Sequence, residues 1–368
     1  MGKHDWFTTE YPEIKFEKAT SVGQMKKRLW DASEEEIQAI LDEYEIGAPS
    51  ELGKAGCYIQ NTPRHKVVEK RRKNDVVLVP IGSTENHGIH ANSGLDTFMV
   101  TQICEAVRRK TAKDGREVSI AFPPLNYGGH PYHHLGMPGT VILPEDVVRE
   151  TIVYTLAGLW DDGFRKIILV NNHGHKWMIE AGLQEFHKRF QLPAVVSLVE
   201  WHRSVREFFI PTDRPDSLTT HFIHADEAET SVGLLLFPEM IDMSVCVDAL
   251  PESITLRGHY DTSVDSFGRP HTWSEGEGQS AIERWGTPEA VVGYPTRGEA
   301  RKAKRPVAAA CEYLTLMINE ILEDLPPGQV PPVGKFTFWS DEEIAPFLKE
   351  PLTEGWKSVH EIKKLGIF

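Results

Sequence analysis

Cysteine is scarce. The 368 residues hold four, Cys57, Cys104, Cys246 and Cys311, and no two form a Cys-x-x-Cys pair. That spacing speaks against a disulfide framework and a cysteine-based zinc site, and it fits reducing, cytosolic surroundings. Long apolar runs are missing too: nothing approaches the roughly 20 residues that span a bilayer. The opening Met1-Gly2-Lys3-His4-Asp5-Trp6 puts charge where an export signal needs an apolar segment. Gly2 is not followed by the Ser or Thr of a myristoylation signal. The expectation is a cytoplasmic chain with no membrane partner. Positive charge is in deficit, 40 Lys and Arg against 54 Asp and Glu, a net charge of −14. Phosphate recognition needs a basic face, so no nucleic-acid partner is expected. The one basic run, Arg64 to Lys73, reads as a solvated helix leading into a strand.

From about Pro63 the hydrophobic pattern is regular. Val76–Ile81 is a continuous apolar run, as in a strand covered on both faces. Val100, Ile103, Cys104 and Val107 place a helical stripe in Asp96–Lys113. Strands are predicted at Val118–Phe122, Lys166–Val170 and Ala194–Val199. Helices are predicted from Pro144 to before Gly163, and over Met178–Phe190, Asp226–Phe237 and Pro306–Leu322. Alternating strands and helices imply an α/β fold of three layers, α/β/α, around a mostly parallel sheet. Residues 1–61 show one short helical stretch, Glu34–Tyr44, and read as an extension that wraps the main domain or a neighbouring subunit. The main domain runs over 62–325, and the Pro-rich Pro326–Pro332 sets off a tail over 326–368.

Histidine is abundant, 16 residues, and clusters at predicted strand ends, where ligands bind in open α/β sheets. Gly82-Ser83-Thr84-Glu85-Asn86-His87-Gly88, with Asp96 beyond it, follows the first strand. Glu85 and His87 are two apart and project to one side of an extended segment. Glu, His and Asp are ligands suited to Zn²⁺ or Mn²⁺; Asp96 also suits a helix cap. Asn171-Asn172-His173-Gly174-His175 follows a second strand. His224-Ala225-Asp226-Glu227-Ala228-Glu229-Thr230-Ser231 opens an apolar helix. Carboxylates favour such a position in any helix, but capping does not need both Glu227 and Glu229 beside a His. The loop His130–Thr140, with His130, Tyr132, His133 and His134, is rich in donors and suits substrate binding.

Together these segments resemble the creatininase (creatinine amidohydrolase) family. Its pattern is Gly-Ser-x-Glu-x-His-Gly with a later Asp, then Asn-Gly-His-Gly, Phe-Pro-Gly-Thr and His-Ala-Gly-Glu-x-Glu-Thr-Ser segments. Here these correspond to Gly82–Gly88 with Asp96, Asn171–Gly174, Met137–Thr140 and His224–Ser231. Gly293-Tyr294-Pro295-Thr296 matches a further segment before the last helix. The resemblance covers about Pro63–Leu322. It implies two divalent ions per subunit, Zn and/or Mn, on Glu85, His87, Asp96 and His173, with Asp96 bridging. Creatininase itself has a Glu where this chain has His175; other relatives use the Glu at the position of Glu227. Glu227 is therefore the expected last ligand, with His175 an alternative, supporting or substrate-binding residue. His224 matches the catalytic His and Glu229 its orienting acid.

The Ser-Thr-Glu-Asn-His-Gly form, His133–Thr140 and the extra N-terminal segment are similar to a branch of the family that hydrolyses a diketo-inositol. That branch cleaves a ring C–C bond to give a keto-gluconate. The resemblance thus implies a small polar cyclic substrate and a homohexamer. A cyclic amidohydrolase, opening a C–N bond, is the alternative. A purely structural metal protein is disfavoured, because closed structural zinc sites rely on Cys and His.

Overall fold

The computed structural model of the chain describes residues 5–121, 124–129, 136–250, 287–332 and 337–362. The N-terminal segment is more ordered than its sequence suggests. Strands β1 (Trp6–Thr8) and β2 (Lys15–Glu17) pair antiparallel, and helices α1 (Ser21–Asp31) and α2 (Glu34–Glu43) follow. Thr20 caps α1 by accepting from the Gly23 amide, and Ser33 and Glu36 form a reciprocal capping box on α2. Helix α1 escapes a periodicity reading because one of its buried positions is a charge: Lys26 faces inward beside Met25, Leu29 and Trp30, and pairs with Glu207 at 2.7 Å.

Helix α3 (Arg64–Arg71), the basic run, leads into β3 (Val76–Ile81). The chain then alternates through α4 (Leu95–Lys113), β4 (Ser119–Ile120), α5 (Glu145–Asp161), β5 (Lys166–Asn171), α6 (Lys176–Phe190) and β6 (Val195–Glu200). Among the described residues α7 (Trp201–Ser204), α8 (Glu227–Leu236) and the long α9 (Ala300–Asp324) follow. The four main strands form one parallel sheet in the order β4-β3-β5-β6. Every residue of β3 and β5 is buried, as expected for strands covered on both faces.

The period-two alternation of β3 divides the core. Val76 and Leu78 pack with α4, α8, α9 and the N-terminal segment. Val77, Val79 and Ile81 pack on the other face with α5, α6 and the C-terminal segment. Ile14, Phe16, Leu29, Trp30, Ile37, Leu41 and Tyr44 thus belong to the same core as α9. Beyond Pro332, α10 (Asp341–Leu348) starts at a Ser340–Glu343 capping box and lays Ile344 and Phe347 against the second face.

Two boundaries differ in physically informative ways. Helix α9 starts six residues before Pro306, at Ala300. Proline forgoes one helical hydrogen bond there; the turn before it is pinned from outside by Lys302 to Glu227 and Arg305 to Asp216. The strand predicted at Val118–Phe122 forms only at Ser119–Ile120, and Phe122 lies outside the described residues.

Candidate metal centre

The carboxyl ends of β3 and β5 and the first turns of α4 and α8 converge on one point. Gly82 makes this possible: a Cβ there would lie 2.5 Å from the Thr97 Cα, so only glycine lets α4 pack against the strand end. Asp96, in the first turn of α4, is thereby carried beside Glu85 and His173. Asp226 caps α8 by accepting from the amides of Ala228 and Glu229, and its other oxygen accepts from Ile223. This cap fixes the helix start from which Glu229 reaches inward.

Five side chains meet as two trios that share one member. Glu85, Asp96 and His173 form the first; His87, Asp96 and Glu229 form the second. Within each, one ligand-type atom per residue lies within 4.8 Å of the others. His224 completes a third grouping with Glu85 and His87. All are buried: Glu85 2 %, His87 1 % and Asp96 1 % exposed.

The tautomers follow from the partners. His87 Nδ1 lies 2.9 Å from the Glu85 carbonyl oxygen. A carbonyl can only accept, so Nδ1 carries the proton and the Nε2 lone pair is left pointing inward. That Nε2 has no hydrogen-bond partner among the described residues, and sits 3.7 Å from Asp96 Oδ1 and 3.5 Å from Glu229 Oε2. A buried lone pair aimed between two carboxylates is what a cation would satisfy, and backbone orientation of the ring is the usual support of a metal-binding His.

His173 Nδ1 stands 2.8 Å from Asp96 Oδ2 and 3.1 Å from Glu85 Oε2. Burial alone would lower its pKa; the two carboxylates outweigh burial and push it up to about 10. Its proton thus occupies a position between carboxylates where a metal ion would replace it. Glu229 is pushed well above the usual carboxylate range, first by burial and then by the negative charge of Asp96 and Asp226. The donor set is therefore matched to divalent cations.

Glu227, the expected last ligand, lies outside this cluster. Fully buried, its carboxylate accepts from the amides and hydroxyls of Thr219 and Thr220 and pairs with Lys302 Nζ at 2.7 Å. Glu227 and Glu229 are two apart at the start of a helix, about 200° around its axis, so only one of them can face the site. Glu229, expected as an orienting acid, is the one that does.

His224 Nε2 donates to the Asn86 carbonyl at 3.0 Å, which leaves Nδ1 facing Glu85 Oε1 at 3.8 Å. Its ring lies 4.5 Å from that of His87. His175, 1 % exposed, sets its Nε2 3.0 Å from Asn171 Oδ1 and packs edge-on against the His173 ring. Gly128 allows that placement, since a Cβ there would meet the His175 ring at 2.3 Å. His130, Tyr132, His133 and His134 lie outside the described residues. The segment after them is docked on the centre by Asn86, whose amide N–H donates to Thr140 Oγ1 at 2.9 Å and whose side chain donates to the Pro138 carbonyl at 2.8 Å.

Two contributors are not legible as functional in the sequence. Asn172 donates from Nδ2 to Asp96 Oδ1 at 3.1 Å and to the Asp96 carbonyl at 3.3 Å. The Trp201 indole N–H donates to the Asn172 Oδ1. Asn172 follows a strand, where a polar residue is ordinary, and Trp201 reads as core.

With this geometry in view, the likeness to known proteins falls into place. Residues 61–318 match the creatininase family, described as creatinine amidohydrolase; the chain belongs to that family. The chain is 39 % identical over 305 residues to the 3-dehydro-scyllo-inosose hydrolase of Thermotoga maritima, spanning 83 % of this chain and 96 % of that one. It is 27 % identical over 187 residues to the creatinine amidohydrolase of Pseudomonas putida, which covers 48 % of this chain and 70 % of the relative. Among solved structures, creatininase shares the fold with a TM-score of 0.56 at 18 % identity, over 74 % of this chain and 99 % of that one. Creatininase has been solved in Mn and Zn–Zn forms. Among the described residues, no helix is long and apolar enough to cross a membrane.

Proposed function

We propose that this chain is a metal-dependent 3-dehydro-scyllo-inosose hydrolase, which opens the ring of a diketo-inositol by cleaving a C–C bond to give a keto-gluconate. The observation that carries the reading is the 39 % identity to the Thermotoga protein of that name over 96 % of its length. The site supports it chemically. Glu85, Asp96 and His173 would hold one divalent ion and His87, Asp96 and Glu229 a second, with Asp96 bridging. Bound there, Zn or Mn supplies Lewis-acid chemistry: it polarises a ketone oxygen and acidifies a water.

With that chemistry supplied, the oxygen of water would add to one ketone carbon, and the C–C bond would break with its electron pair passing to the neighbouring carbon as an enolate, which the second carbonyl stabilises. His224, whose Nε2 donates to the Asn86 carbonyl, gives that carbon a proton from Nδ1. Glu85 Oε1 stands 3.8 Å from that Nδ1. Asn171 and His175 hold His173 in place. The loop with His130, Tyr132, His133 and His134 supplies donors for the ring hydroxyls. A cytoplasmic homohexamer completes the reading, by resemblance to the family.

The test incubates the Mn- or Zn-loaded protein with the diketo-inositol and, separately, with creatinine. An acyclic keto acid from the first, with no creatine from the second, is expected. A site built for buried hydroxyls discriminates by about 10⁴ or more against a ligand that lacks them. Turnover of creatinine with none of the diketone would replace this reading by the amidohydrolase one.

A further inference from the structure

Asp96 is the one residue common to both trios, so what fixes its carboxylate decides how the trios relate. Its Oδ2 faces His173 at 2.8 Å, and its Oδ1 faces His87 Nε2 at 3.7 Å. An aspartate can serve two cations only while its two oxygens point apart, one to each. If the carboxylate turns about its terminal torsion, which is soft, both oxygens can chelate a single ion. Something must therefore hold the plane.

Asn172 is placed to do this. Its Nδ2 reaches both the Oδ1 and the backbone carbonyl of Asp96, at 3.1 and 3.3 Å, tying the side-chain plane to the backbone of α4. An amide holds its orientation only if its oxygen end is engaged, because a flipped Asn would set its oxygen against the carboxylate. Trp201, buried at the carboxyl end of β6, donates its indole N–H to that oxygen. Indole can only donate, so it accepts no other orientation of the amide. The chain Trp201–Asn172–Asp96 links β6, β5 and α4 through buried groups: Asn172 is 3 % exposed and Trp201 1 %.

We propose that Asn172, oriented by Trp201, is a positioning residue that locks Asp96 in the bridging arrangement and so makes occupancy of the His87–Asp96–Glu229 trio depend on that lock. The inference rests on the two-metal reading above. Without the lock, Asp96 chelates the ion at the Glu85–His173 trio, and the second trio is reduced to His87 and Glu229.

The test measures Mn²⁺ binding calorimetrically to the metal-stripped wild type, Asn172→Ala and Trp201→Phe, with the electron paramagnetic resonance spectrum of each loaded protein. Wild type is expected to take two ions and to show the spectrum of an exchange-coupled pair. Asn172→Ala should keep the first affinity, lose the second by about 10–100-fold, the range for residues that orient ligands, and show an uncoupled single-ion spectrum. Trp201→Phe should shift the second affinity the same way by less. Two unchanged affinities and a coupled spectrum in both variants would overturn the inference and leave the two-metal reading intact. A wild type that binds a single ion would overturn the two-metal reading itself. If Asn172→Ala fails to fold, as judged by circular dichroism, Trp201→Phe alone decides: a second affinity equal to wild type refutes the lock.

Discussion

Lys302 and Glu227 are both buried, 7 % and 0 % exposed, and their charged atoms are 2.7 Å apart. Glu299 also lies 3.3 Å from Lys302 but is exposed, so removing the Glu227 carboxylate leaves a buried ammonium poorly compensated, at a cost approaching about 3–5 kcal/mol. Glu227→Gln should therefore lower the urea midpoint markedly while the metal content of the folded protein stays at the wild-type value. Glu229→Gln should do the reverse, with a modest change in midpoint and a large loss of metal. Loss of metal from folded Glu227→Gln would show that Glu227, not Glu229, is the ligand. The same residue scale sets a pH dependence. His173 is held at about 10 in the metal-free fold, above the ordinary value of 6.5. A pKa raised by folding stabilises fully below the unfolded value, and that stabilisation is lost as pH rises through the folded one. Glu229, also raised, acts in the same direction. The metal-free protein should thus lose thermal stability steadily from about pH 6.5 to 10, whereas the metal-loaded protein, which wants these groups deprotonated, should not. A flat Tm for the metal-free protein across that range would contradict the geometry of His173.

At the scale of elements, the strand ends carried the reading from sequence to site. Val76–Ile81 and Lys166–Asn171 are legible because a strand buried on both faces needs an unbroken apolar run, and the His-, Glu- and Gly-bearing segments directly follow them. The start of α8 was legible as chemistry but not in its orientation. The sequence shows two glutamates two apart; only the Lys302 pairing partner, 75 residues away, decides which one turns aside. The link from Trp201 to Asn172 spans 29 residues and was unreadable for the same reason. Helix packing against the strand end offers a direct check. Gly82→Ala would put a Cβ 2.5 Å from the Thr97 Cα, and that backbone belongs to the helix that carries Asp96. Overpacking of this kind costs about 1–3 kcal/mol, and α4 must shift to relieve it. Metal affinity should fall with stability in Gly82→Ala, as read by calorimetry and urea unfolding. An unchanged affinity would mean that α4 can move without carrying Asp96 out of position.

On the scale of the whole molecule, the segment before residue 61 lies outside the span that matches the family, yet it is packed as core. Leu29 is 0 % exposed, Trp30 4 %, Leu41 2 % and Tyr44 3 %. Tyr44 donates its hydroxyl to Thr315 of α9 at 2.9 Å, and Arg305 of α9 donates to the Trp30 and Ala32 carbonyls. Helix α9 in turn packs against α4 and α8, the two helices whose first turns hold Asp96 and Glu229. The N-terminal segment therefore backs the helix against which α4 and α8 both rest. Stripping it would leave the outer face of α9 in water, with the hydrophobic burial of several large side chains lost at once. Leu29→Ala tests this without removing the segment. A leucine buried to this degree costs about 2–5 kcal/mol when truncated, so the variant should unfold in one cooperative transition at a clearly lower urea midpoint. A chain lacking residues 1–44 should fail to give a cooperative transition and should not hold metal. If that shortened chain instead unfolds at the wild-type midpoint with its metal intact, the segment is an appendage, and α9 is braced by the main domain alone.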